Sequence, residues 1–206
     1  MEVLIVGAGA MARGIGTRLL AGGHQLRIAA RNHDQARTLA AELDGDATGE
    51  ALGTPMGAAS VVILTLPYPA SRMVAEQYAG ELVGRVLVDI ANPVNHGTFD
   101  DLVTPPGTSA AEEVARAASG AKVVKAFNTT FAGRLAAGGQ LDVFLAGDDD
   151  YARETVAALA ADGGMRPIQV GGLKHAYTLE AFQLLCMKVQ DQIDGNWATS
   201  LELAPG

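Results

Sequence analysis

Six residues near the start of the chain, Gly7-Ala8-Gly9-Ala10-Met11-Ala12, directly follow the apolar run Val3-Leu4-Ile5-Val6 and precede a helical stretch. Their spacing is G-x-G-x-x-A, and the chemistry it suits is the holding of a dinucleotide pyrophosphate. Gly7 permits a tight turn. Gly9 lets a phosphate approach the backbone, where a side chain would collide with it. Ala12 stands where a small residue allows close packing of helix on strand. The free N–H groups and the dipole of the helix start favour the anion. A purely structural turn is the alternative; the strand before and the helix after favour the dinucleotide.

The second apolar run ends in Ala29-Ala30-Arg31-Asn32. Proteins that bind NAD usually place Asp or Glu here, about 20 residues beyond the glycine motif, to hold the ribose hydroxyls. No carboxylate stands at this tip. Arg31 offers a guanidinium suited to a 2′-phosphate and able to stack on adenine, with Asn32, Arg37 and His33 close by in sequence. The expected cofactor is therefore NADP(H). Asp34 would take the ribose role only if the strand ran further.

Three more segments follow apolar runs and should gather at the carboxyl edge of a sheet, where ligands of such folds bind. They contain Leu66, Pro67 and Tyr68; Asn92 and Pro93; and Asn128 with Thr129. The prolines can hold loops rigid beside a nicotinamide, and the two asparagines can pair with its carboxamide. Each residue read singly is equally a turn former; three such loops at one edge favour a site. A carbonyl or imine reductase would also need a proton donor. Tyr68, His96, Lys125, His175 and Tyr177 are the candidates, none in a Tyr-x-x-x-Lys spacing. Hydride transfer to a flavin-like ring asks less of the protein. Cys186 reads as a core residue of the last helix.

The elements that must position these residues alternate along the chain. Strands are predicted at Val3–Val6, Leu26–Ala30, Val61–Leu66, Val86–Ile90, Lys122–Phe127, Leu141–Ala146 and Pro167–Val170, with a short one at Ala47-Thr48. Helices are predicted over Gly14–Ala21, His33–Leu43, from Thr54-Pro55, over Ser71–Ala79, from the capping box Ser109-Ala-Ala-Glu112, and from Asp148-Asp149-Asp150. A last helix has the apolar ladder Leu179, Phe182, Leu185, Val189 and Ile193. This order predicts an α/β fold: a doubly wound parallel sheet of about eight strands in a single domain, residues 1–206, closed by a C-terminal helix and tail over 170–206. Asn92 to Gly107 is a long polar loop of the kind that carries function.

Composition narrows the classes. With 49% hydrophobic and 18% charged residues the chain is not intrinsically disordered. A net charge of −8 disfavours non-specific nucleic-acid binding and anionic membranes. One cysteine allows no internal disulfide and no cysteine-based zinc site, and no metal is expected. No apolar run is long enough to cross a membrane, and Val3–Val6 is too short for a signal-peptide core, so a cytoplasmic protein is expected.

The stretches Val6-Gly-Ala-Gly-Ala-Met-Ala-Arg-Gly14, Ala30-Arg31, Leu64-Thr-Leu-Pro-Tyr68, Ser109-Ala-Ala-Glu112, Val123-Val-Lys-Ala-Phe-Asn128 and Gly171-Gly-Leu173 run in order over almost the whole chain. On these the sequence resembles the NADPH-dependent reductases of the deazaflavin coenzyme F-420, and it is similar to the oxidoreductase domain of STEAP metalloreductases. The resemblance implies a Rossmann-like homodimer that passes hydride between NADP(H) and a deazaflavin or flavin. It implies that Gly7 to Ala12 hold the pyrophosphate and Arg31 the 2′-phosphate. Pro67 and Tyr68 would border the nicotinamide, and Asn128 and Thr129 would line the redox pocket. Ala8 and Ala30 stand where the family often has polar residues. Trp197 to Gly206 matches none of its motifs. Two other readings remain open at this point: reduction of a small imine or carbonyl, and a non-catalytic sensor of NADP. The length disfavours a separate substrate domain and points to a flat acceptor ring on the open sheet edge or a pocket closed by a second subunit.

Overall fold

A computed structural model describes residues 1–204. Its elements in chain order are β1 Glu2–Val6, α1 Ala10–Ala21, β2 Gln25–Ala30, α2 His33–Glu42, β3 Ala47–Ala51, β4 Val61–Leu64, α3 Tyr68–Gln77 and α4 Ala79–Leu82. They continue with β5 Val86–Asp89, α5 Ala110–Ala117, β6 Lys122–Lys125, α6 Ala132–Ala136, β7 Asp142–Gly147, α7 Asp150–Asp162, β8 Arg166–Gly171 and α8 Ala176–Lys188. All eight strands join one sheet in the order β3-β2-β1-β4-β5-β6-β7-β8. The direction of winding reverses between β1 and β4, which opens a crevice at their carboxyl ends.

Helices cover both faces, so the central strands are apolar throughout. Val61, Val62, Ile63 and Leu64 are all fully buried. Alternate residues feed two cores. Ile5, Ile28 and Ile63 pack with Ile15, Leu39 and Val156 on one face; Leu4, Val62 and Leu87 pack with Val74, Val114 and Leu173 on the other. Burying each such side chain contributes about 1.5–3 kcal/mol. The capping box forms as its spacing predicts: Glu112 N–H donates to Ser109 Oγ at 3.1 Å, and Ser109 N–H donates to Glu112 Oε2 at 2.8 Å.

Three expectations are corrected. The sheet is not parallel throughout, because β7 runs antiparallel to β6 while β8 is parallel to β7. The link between β6 and β7 contains only the five-residue α6. A helix about 7.5 Å long cannot carry the chain back across the sheet, so β7 enters from the carboxyl edge. No helix starts at Thr54-Pro55. The carbonyls of Pro55 and Met56 accept from the Arg27 guanidinium at 2.8 and 2.7 Å, and Gly53 and Gly57 take positive φ on either side. The predicted ladder of the last helix does not face the core as a whole. Only Leu179 among Leu179, Phe182 and Leu185 is buried, whereas Glu180 and Gln183 are turned inward.

Among the described residues no helix is long and apolar enough to cross a membrane.

Candidate functional site

The glycine turn joins β1 to α1 at the crevice. Gly7 adopts φ +119°, a left-handed conformation that L side chains rarely adopt, and a Cβ there would stand 2.4 Å from Thr65 Oγ1 and 2.7 Å from the Thr65 carbonyl oxygen. Thr65 Oγ1 donates to the Val6 carbonyl at 3.0 Å, which ties the ends of β1 and β4 together. Gly9 is the N-cap of α1 and differs in kind: a Cβ there meets no protein atom within 4 Å. The space before it is open, as an approaching pyrophosphate requires. Ala12 is fully buried against the sheet, while Ala8, Ala10 and Met11 complete the turn and first helical turn. α1 begins without an acidic residue in its first turn, so nothing there opposes an anion.

A cleft of about 510 Å³ runs from this turn along α2, lined by Ala8, Gly9, Arg13, Gln35, Thr38 and Glu42, among others. β2 ends at Ala30, so Arg31 is the first residue beyond the strand tip. Arg31, His33 and Arg37 are exposed, and among the described residues their side chains make no hydrogen bond or ion pair. Asn32 serves as the N-cap of α2, its Oδ1 accepting from the Asp34 and Gln35 N–H groups at 3.0 and 3.4 Å. Asp34 falls in the first turn of α2, four residues beyond the strand end. Arg13 is the one nearby cation already engaged, by Glu42.

At the carboxyl ends of β5 and β6 two asparagines clasp each other. Asn92 Nδ2 donates to the Asn128 carbonyl at 2.9 Å, and Asn128 Nδ2 donates to Asn92 Oδ1 at 2.9 Å. Asn128 Oδ1 is buried with no partner, an acceptor of the kind a carboxamide N–H₂ satisfies. Asn128 follows Phe127, a buried residue held at φ 59°. Pro93 is buried beside Asn92. Leu66 and Pro67 lead into α3, where Tyr68 is the first residue. Burial, with the Glu113 carboxylate adding to it, pushes the Tyr68 hydroxyl above its usual range. The structure thus gathers Gly7 to Ala12, Leu66 to Tyr68, Asn92 and Asn128 at one edge. The open Gly9 and the unpartnered Asn128 oxygen fit a dinucleotide laid across it.

Other candidates stand elsewhere. His175 packs beside Gly171 at the end of β8, the outer strand, two positions from β6 in the sheet. Tyr177 lines a groove between α8 and the loop Asp100–Gly107. His96 is exposed, its ring 5.9 Å from that of Phe99. Cys186 is half-buried in α8 rather than in the core, and burial pushes its thiol up, away from the reactive thiolate.

Lys125 is wholly enclosed. Its ammonium donates to Asp89 Oδ2 and Glu180 Oε1, each at 2.7 Å, and to the Ala91 carbonyl. All its three donors are therefore engaged. Asp89 and Glu180 are also fully buried. Glu180 accepts in addition from the Ala110 and Ala111 N–H groups at 3.0 and 3.4 Å, at the start of α5. Burial alone would lower the Lys125 pKa, but Asp89 and Glu180 outweigh it and hold the ammonium above the usual lysine range. Burial pushes Glu180 above the usual carboxylate range, against the pull of Lys125. This triad escapes sequence reasoning, because Asp89 and Glu180 join only through the fold. Its one signal is a charged residue inside an otherwise apolar strand.

Residues 2–93 match the family model described as NADP oxidoreductase, coenzyme F420-dependent. The F420-dependent NADP reductase of Methanocaldococcus jannaschii is 31% identical over 154 residues, covering 69% of each chain. Metalloreductase STEAP3 of Rattus norvegicus is 30% identical over 186 residues, 89% of this chain. The chain spans only 36% of that relative's length. A solved structure of a candidate F420-dependent NADP reductase from Arthrobacter sp. FB24 superposes with a TM-score of 0.84 over the whole of both chains at 26% identity.

Proposed function

Because the chain belongs to the coenzyme F420-dependent NADP oxidoreductase family and is an NADP-dependent oxidoreductase, we propose that it passes hydride between NADP(H) and a deazaflavin of the coenzyme F420 type. When bound, NADPH supplies the hydride from its nicotinamide ring. Gly7 to Ala12 receive the pyrophosphate, and Arg31, with Arg37 and His33, receives the 2′-phosphate. Asn128 Oδ1 accepts from the nicotinamide carboxamide, with Asn92 holding Asn128 in place. Leu66, Pro67 and Tyr68 form the wall beside the ring, and Pro93 stiffens the loop opposite.

The likeness to F420-dependent NADP reductases supports this reading over reduction of a small imine or carbonyl, and the state of one candidate proton donor agrees with it. Lys125, the ammonium at this edge, already directs all its N–H bonds into the protein. A deazaflavin accepts a hydride and takes its proton from solvent, so it needs no such donor. A flavin is the second acceptor of the same shape. Stopped-flow mixing of NADPH deuterated at the transferring position with oxidised F420 should show direct deuterium transfer. Absence of NADPH oxidation by any deazaflavin or flavin would overturn the reading. Multiple turnover would also set aside a purely sensing role.

Arg31→Asp should weaken NADPH by roughly thirty- to hundredfold, equivalent to about 2–3 kcal/mol for a lost charge-assisted contact plus new repulsion. NADH should change by less than about threefold, since it lacks the phosphate. Equal loss for both cofactors, measured by titration, would place the phosphate elsewhere.

A homodimer is proposed through α8, where Phe182 and Leu185 are 44% and 57% exposed. The double change Phe182→Glu, Leu185→Glu should yield monomer in sedimentation equilibrium; an unchanged mass would assign that face another role. The expected cellular setting is the cytoplasm, and residues 1–206 are taken as one cofactor-binding unit.

A further inference from the structure

The tail that matches no family motif runs along the segment that follows β6. Phe131 N–H donates to the Thr199 carbonyl at 3.0 Å and Leu201 N–H to the Thr129 carbonyl at 2.9 Å. Thr130 and Ser200 form an antiparallel bridge between them. The tail therefore pairs with the residues that leave β6 immediately after Asn128.

This pairing brings Trp197 into an aromatic cluster drawn from three separate segments. Its ring lies 5.4 Å from Phe131 at 83° and 5.8 Å from Phe99 at 46°. Phe99 comes from the loop after β5 and Phe131 from the exit of β6, the two segments that also carry the clasped Asn92 and Asn128. Phe99 and Trp197 are held at φ 51° and 55°, and Asp194 and Asn196 at 50° and 47°. Bulky side chains rarely adopt this left-handed conformation, and it persists only where surrounding structure enforces it.

Anchoring the tail does not require this arrangement. The backbone bonds already hold it, and Leu201 packs against the cluster of Phe144 and Leu179. An anchoring indole would be buried, whereas Trp197 stays 45% exposed. One further buried polar atom in the neighbouring exit segment, Thr130 Oγ1, has no partner. An exposed aromatic surface beside an unpaired polar atom suits a flat conjugated ring with a polar edge.

We propose that Trp197, supported by Phe99 and Phe131, is the platform on which the conjugated ring of the hydride acceptor stacks, so that the tail determines acceptor specificity. The proposal rests on the deazaflavin reading above, and it is tested in a way that separates the two. Trp197 is the only tryptophan in the chain, so its fluorescence reports on ring binding without turnover. Titration with oxidised F420, and separately with FMN, should quench it saturably. Trp197→Ala should raise the acceptor KM about tenfold while kcat and the NADPH dissociation constant stay within about twofold, and Trp197→Phe should recover most of the loss. Absence of saturable quenching, or an unchanged acceptor KM in a folded Trp197→Ala variant, overturns the platform. If the wild-type protein turns over no deazaflavin or flavin, the functional reading fails, and the quenching titration alone then decides the platform. If Trp197→Ala does not fold, quenching together with Trp197→Phe decides it.

Discussion

Gly9→Val should leave the protein folded and abolish NADPH binding, with affinity falling by more than about a hundredfold. The backbone at Gly9, φ −93° and ψ −170°, is extended and open to any residue. A Cβ there touches nothing in the protein within 4 Å, so the folding cost is confined to a weaker helix cap of about 1 kcal/mol. For a chain of this size that lowers Tm by roughly 2–4 °C. The added side chain instead fills the space assigned to the pyrophosphate. Saturating NADPH should raise the wild-type Tm, since ligand at a hundred times its dissociation constant adds about 2.7 kcal/mol of stability; the variant should show no such rise. Gly7→Ala is the contrasting change two residues earlier. It forces an L side chain to φ +119° and into the Thr65 backbone, so it should destabilise the fold itself. If Gly9→Val retains NADPH affinity within a fewfold, the pyrophosphate lies elsewhere.

That contrast shows what kind of information the sequence carries. Gly7 and Gly9 are legible because each expresses a local demand, one conformational and one steric, in its residue type. Arg31 is legible because β2 ends where its β-branched and apolar residues end. The capping box of α5 is local too. The reversed direction of β7 is not local: it depends on α6 being too short to cross the sheet, and on where α6 docks. Leu135 of α6 lies against Gly14 of α1, and Arg18 Nε donates to its carbonyl at 2.8 Å. The inward face of α8 was hidden for a related reason. Glu180 and Gln183 read as solvent-facing beside an apolar ladder, and burial of Glu180 depends on distant partners, Lys125 and the first N–H groups of α5. Likewise Phe99, Phe131 and Trp197 carry no joint signal until the tail pairs with the exit of β6.

The same distant pairing carries the largest expected effect on stability. Lys125→Met should cost about 3–5 kcal/mol at neutral pH, because it leaves Asp89 and Glu180 enclosed without their shared countercharge. The methionine fills most of the lysine volume, so lost packing contributes little, and the loss is electrostatic. Its pH dependence follows from that. Burial already raises the Glu180 pKa in the folded wild type. A raised carboxyl contributes stability that is complete below the unfolded value of about 4.3 and declines as pH climbs through the folded one. Removing the ammonium raises Glu180 further, so the deficit of the variant should be large at pH 8 and shrink toward pH 5 as it binds a proton. Denaturant unfolding of both proteins at the two pH values measures this. A deficit below about 1 kcal/mol, or one that does not change with pH, would mean that the triad is solvated. The effect should also reach the redox edge. Lys125 holds the Ala91 carbonyl, one residue before Asn92, and Glu180 holds the first N–H groups of α5. In the variant that remains folded at pH 5, the Asn92–Asn128 clasp loses this support from below. NADPH affinity should therefore fall there even though Lys125 touches no cofactor. Retained affinity in the folded variant would limit the triad to holding the fold.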